Sequence, residues 1–146
     1  MTAAASLPVD VVVDASVAIK WLLVETNSPE ALKLLAGTTI LHAPDLLLPE
    51  VGNILWKRVR SGEISAEKAK ELLDWLSKLP ILLYPSQPLM LAAVEIACQY
   101  DRTVYDSLYI ALTVQKGCVL VTADEKLRNA FTGTALDSHL VLVQTL

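Results

Sequence analysis

A short β-branched run ending in a carboxylate, Val11-Val12-Val13-Asp14, constrains this chain more than any other stretch. Three valines are too few for a helix, and their side chains are apolar on both faces of the pleat. The run therefore reads as a central strand of a parallel sheet, covered on both sides. Asp14 stands at the carboxyl end of that strand, where open α/β sheets keep their ligand crevice. Asp is also a favoured N-cap. On this stretch alone Asp14 is either the cap of the following helix or a chemical group, and other carboxylates must arrive at the same edge to decide it.

The rest of the chain alternates helical and strand patterns. Ser16 to Val24 reads as a short apolar helix. Ser28-Pro29-Glu30 gives a second helix its cap, first-turn proline and first-turn acid, with Gly37 just past the end. Thr38 to His42 reads as a strand. Asp45 opens a segment that becomes a helix through Arg60, whose regular part begins near Pro49 or is kinked there. Ser65 caps a helix to about Lys78, and Ile81 to Tyr84 form a short strand. Helical patterns cover Leu89 to Tyr100 and Thr103 or Val104 to Lys116. A strand follows over Cys118 to Val121, then a helix to about Phe131, and Leu140 to Val143 reads as a last, edge strand. Strands alternating with helices predict an α/β fold around a parallel sheet. With 146 residues, no repeat and no linker, residues 1–146 are expected to be one domain, with residues 1–8 a flexible leader.

Bulk properties exclude several classes. No uncharged apolar run approaches the ~20 residues that span a bilayer, so no membrane partner is expected. The first eight residues lack the basic and apolar regions of a signal peptide. Cys98 and Cys118 have no metal-binding spacing and read as small core hydrophobes in a reducing compartment, which points to the cytoplasm. The net charge of −4 gives no general field for nucleic acid. Lys57, Arg58 and Arg60 form the one tight basic cluster and read as a solvated face, with Arg102, Lys126 and Arg128 as outliers. His42 and His139 are isolated and read as structural or exposed.

Three more acids sit in apolar company. Glu50 has Leu46 one turn before it and Ile54 one turn after, on the margin of an apolar helix face. Asp106 opens the almost wholly apolar helix that continues Leu108-Tyr109-Ile110-Ala111-Leu112. Asp124 follows the strand 118–121 at another strand-to-helix turn. Asp106 and Asp124 also suit the positive end of a helix dipole, and a kink at Pro49 would turn Glu50 to solvent. Burying several carboxylates together costs several kcal/mol per ion unless cations compensate, and the sequence suggests no buried Lys or Arg beside them. Oxygen-only ligands point to hard ions, Mg2+ or Mn2+. Ser16 could cap a helix or bind a metal-bound water, and Thr122 could orient Asp124.

Four segments, in order, carry a family resemblance: Val12-Val13-Asp14-Ala15-Ser16, Pro49-Glu50-Val51-Gly52-Asn53-Ile54-Leu55, Tyr105-Asp106-Ser107-Leu108-Tyr109-Ile110-Ala111-Leu112 and Leu120-Val121-Thr122-Ala123-Asp124. Together they resemble the PIN-domain ribonucleases, and most of all the VapC toxins of toxin–antitoxin pairs. The resemblance implies a three-layer α/β/α fold with a central, mostly parallel sheet of four to five strands. It implies a metal-dependent endoribonuclease with Asp14, Glu50, Asp106 and Asp124 as the acidic metal site and Ser16, Thr122 and Asn53 in support. RNA substrate, an antitoxin partner and a homodimer are implied as well. Trp21, Leu22, Leu23, Leu47, Leu48, Trp56 and Trp75 exceed what so small a core absorbs and would mark the dimer contact. The alternative is a catalytically silent PIN-like binding module acting through protein or RNA partners. An aspartyl-phosphate phosphatase is disfavoured because it wants a second Asp where Ser16 stands, and Ala15 breaks the acidic pair of a phosphoryl receiver.

Overall fold

Val11, Val12 and Val13 are fully excluded from solvent, which is what an apolar run in the middle of a doubly covered sheet requires. They belong to β1 (Asp10–Val13) in a computed structural model that describes residues 6–146. Four further strands complete the sheet: β2 (Ile40–Pro44), β3 (Ile81–Tyr84), β4 (Val119–Thr122) and β5 (Leu140–Leu142). The spatial order is β3-β2-β1-β4-β5, and every neighbouring pair is parallel. The expected parallel α/β sheet is thus present with five strands, and β5 is an edge as the sequence predicts.

Helices fill the crossovers. Between β1 and β2 run α1 (Ala15–Leu22) and α2 (Ser28–Ala36). The next pair, α3 (Leu47–Arg60) and α4 (Ala66–Ser77), leads to β3. After β3 the chain returns through α5 (Met90–Tyr100) and α6 (Val104–Lys116) to β4, on the far side of β1. The short α7 (Glu125–Ala130) leads to β5. The strand order therefore reverses between β1 and β4, and a sheet of this kind opens its crevice at that point, outside the carboxyl ends of the strands. Packed against β1, β2 and β4, α6 has every residue from Ser107 to Thr113 buried. Pro49 lies in the first turn of α3, where its missing N–H removes no intrahelical bond.

Several sequence expectations need correction. Cys98 is exposed on α5 and Cys118 only half-buried, so neither is a full core residue. Trp21 and Leu47 are buried in the core, while Trp56 and Trp75 are exposed. Of the basic cluster, Arg58 reaches Glu25 at 2.5 Å and Glu63 at 2.8 Å, and Arg60 lies over the Trp56 ring. His42 is not isolated: it is buried, with Nε2 2.7 Å from Asp10 and Nδ1 2.7 Å from the Tyr84 hydroxyl. Residues 1–5 of the expected leader lie outside the described residues; at its end, the Pro8 carbonyl accepts a hydrogen bond from Thr39 (3.1 Å).

Candidate active site

Asp14 is only 7% exposed at the carboxyl end of β1. Its two carboxylate oxygens are held separately. Oδ1 accepts from the Ser16 hydroxyl at 2.5 Å and from the Val17 N–H at 3.3 Å, while Oδ2 accepts from the Thr122 hydroxyl at 2.5 Å. The Val17 bond makes Asp14 the N-cap of α1, so the capping and chemical readings coincide in one side chain. Ser16 and Thr122 also act as acceptors, from the N–H groups of Ala123 (2.8 Å) and Asp124 (3.1 Å). Two hydroxyls thereby stitch the end of β1 to the end of β4. Ser16 is not itself a cap. Thr122 orients the carboxylate of Asp14, and it touches Asp124 only through the backbone.

Burial is the first cause that pushes Asp14 upward, to a pKa of about 6; the Ser16, Thr122 and Val17 bonds oppose it, and the charge of Asp106 adds to it. Glu50, half-buried in the first turn of α3, is raised by burial in the same way. The adjacent Tyr109 phenol offsets part of that effect, and the charges of Asp14 and Asp106 push the pKa further up. Neither Glu50 Oε1 nor the Tyr109 hydroxyl closes a hydrogen bond, although both atoms are buried. Asp106 is also raised by burial; Arg102 pulls it back and the charge of Asp124 pushes it up. Asp124 is exposed, and its Oδ1 caps α7 through the Leu127 N–H at 3.1 Å.

The structure therefore brings Asp14, Glu50, Asp106 and Asp124 to one edge, each within electrostatic reach of another. It does not close them into a cage: among the described residues no three His, Cys, Asp or Glu side chains form a ready metal-binding group. The Leu127 N–H holds Asp124 and Arg102 holds Asp106 in place. The donor set still suits a hard divalent cation. All donors are oxygens, and Glu50 Oε1 is a buried acceptor to which no hydrogen bond is closed. Asn53, one turn after Glu50, is exposed and has no side-chain hydrogen bond among the described contacts.

Two residues at the site escape sequence reasoning. Arg102 Nη2 lies 3.5 Å from Asp106, so a cation does stand beside the acids. Its spacing of four from Asp106 was the available signal, but Arg102 precedes α6, in the turn that follows the left-handed Asp101. Tyr109 is 2% exposed and looked like core, yet its hydroxyl lies against Glu50.

Residues 11–131 match the PIN domain family model. The chain belongs to the PIN-domain family. Ribonuclease VapC1 of Mycobacterium tuberculosis is 37% identical over 121 residues, covering 82% of this chain and 89% of the relative. Among solved structures, PAE2754 from Pyrobaculum aerophilum has a TM-score of 0.69 at 26% identity, covering 94% of this chain and 85% of that one. A toxin–antitoxin complex from Klebsiella pneumoniae shares the fold, with a TM-score of 0.65 at 14% identity, covering 91% of this chain and 96% of that one.

Proposed function

We propose that this PIN domain is a metal-dependent endoribonuclease, the toxin of a VapC-type toxin–antitoxin pair, hydrolysing RNA phosphodiester bonds. The observation that carries this reading is the buried Asp14 carboxylate, gripped through both oxygens by Ser16 and Thr122 at the β1–β4 switch point, with Glu50 and Asp106 coupled to it and Asp124 coupled to Asp106. A structural cap needs one such bond and no acidic company. The 37% identity to a ribonuclease over most of both chains supports the same reading.

Asp14 and Asp106 are the principal ligands for one or two Mg2+ or Mn2+ ions. Asp124 is a second-ion or water-mediated ligand, and Glu50 is a ligand or the base for the attacking water. When bound, the cation polarises the scissile phosphate and lowers the pKa of an attacking water toward neutrality. Ser16 and Thr122 hold the Asp14 carboxylate in one orientation before substrate arrives. Glu50, with its proton affinity raised by burial, suits a group that takes a proton from the attacking water. Arg102 offsets part of the charge on Asp106. No side-chain nucleophile is required.

The fold shared with a toxin–antitoxin complex supports an antitoxin partner. Self-association as a homodimer is supported by apolar surface at one sheet edge and on α5, where Leu82, Leu83, Leu91 and Val94 are exposed and Leu91 reaches 89%. Both cysteines are free and, among the described residues, no helix is long and apolar enough to cross a membrane; a cytoplasmic site of action fits. Single-stranded RNA incubated with the purified chain is expected to be cut in Mg2+ or Mn2+ and left intact in EDTA. Intact RNA under every metal condition would favour the silent binding module.

A further inference from the structure

The rim of the acid cluster carries an aromatic ring and a guanidinium that the acids' own chemistry leaves unused. Tyr105 is 63% exposed in the first turn of α6, next to Asp106. Residues four apart on a helix share a face, so Tyr105 stands one turn above Tyr109, whose phenol lies against Glu50. Arg102, three positions before Tyr105, reaches Asp106 at 3.5 Å and keeps its side chain 27% exposed. A guanidinium has five N–H donors, and the described contacts of Arg102 engage one carboxylate oxygen; its Nε is buried with no acceptor. The Arg102 fork therefore has hydrogen-bonding capacity that the folded chain does not consume.

The chain's net charge of −4 gives no broad attraction for a polyanion, so RNA has to be seated by local contacts. Proteins that bind single strands do this by stacking bases on aromatic side chains and pairing phosphates with cations. We propose that Tyr105 and Arg102 together seat one nucleotide of single-stranded RNA at the site, the Tyr105 ring stacking on a base and the Arg102 guanidinium binding the adjoining phosphate. This rests on the nuclease reading above and adds to it the residues that grip the strand. Stacking tolerates every base, so Tyr105 contributes affinity and positioning with little choice of sequence.

The test is binding of a fluorescent single-stranded RNA by the full chain in the Asp14→Asn background, over a range of salt, with cleavage by the unaltered chain run in parallel. Tyr105→Ala is expected to weaken binding by roughly 5- to 140-fold, the range that loss of one base–aromatic stack gives, with its salt slope unchanged. Tyr105→Phe keeps the affinity. Arg102→Gln is expected to flatten the plot of log affinity against log salt by about 0.7, one phosphate contact on a single strand, and Arg102→Lys to restore it. Equal affinity of Tyr105→Ala and its background, while the unaltered chain cleaves RNA, overturns the stacking role alone. An unchanged slope for Arg102→Gln overturns the phosphate contact. Failure of the unaltered chain to cleave any single-stranded RNA overturns the nuclease reading and the nucleotide seat with it.

Discussion

Asp14 does three jobs: it ends β1, caps α1 and carries charge into the acid cluster. The third works against stability when no cation is present. The ordinary carboxyl pKa is 3.8, and Asp14 in the folded chain is raised to about 6. The folded state binds this proton more tightly than the unfolded state. The stabilisation it gives is fully present below about pH 4 and is lost as pH rises through about 6. For Asp14 alone the effect is at most about 3 kcal/mol, and Glu50 and Asp106 act in the same direction. Denaturant unfolding in EDTA should therefore find Asp14→Asn more stable than the unaltered chain at pH 7, with the gap closing toward pH 4. Asp14 was legible because an apolar strand delivers it to a known edge. The pairing of its oxygens with Ser16 and Thr122 was not, because Thr122 lies 108 positions away and only the β1–β4 register brings it close.

α6 is the element on which the site depends most, since it carries Asp106 and Tyr109 and covers the middle of the sheet. Its start is fixed by Thr103, whose hydroxyl accepts from the Asp106 N–H at 3.1 Å. Thr103→Ala should cost about 1 kcal/mol of stability, the usual loss for an N-cap. It should also lower RNA cleavage, because the lost bond is to Asp106 itself; thermal unfolding and a cleavage assay check the two effects. Helices of this kind were legible from apolar periodicity and caps, and α6 runs to Lys116 as the pattern predicts. Arg102 fell outside that reading because periodicity describes residues within a helix, whereas Arg102 occupies the turn between α5 and α6. Cys98 was misjudged for a related reason: α5 has an apolar outer face as well as an inner one, and sequence alone does not say which face is covered.

Across the whole molecule the chain solves two burial problems differently. The valines of β1 are buried by helices of the same chain, but Leu91 and Val94 on α5 and Leu82 and Leu83 on β3 are left in water. In the proposed homodimer a second copy buries them, and Leu91→Lys is then expected to give a monomer by light scattering at a concentration where the unaltered chain is expected to be a dimer, with the fold intact by circular dichroism. Four acids from distant parts of the chain are proposed to act as one cation-binding centre for RNA hydrolysis. Asp14→Asn tests it most directly, because Asn caps a helix about as well as Asp but lacks the charge that holds a hard cation. The measurement is RNA cleavage by Asp14→Asn at saturating Mg2+ or Mn2+, beside its unfolding in EDTA. A folded protein with cleavage abolished is expected; full cleavage by that variant would rule out a cation-binding role for Asp14.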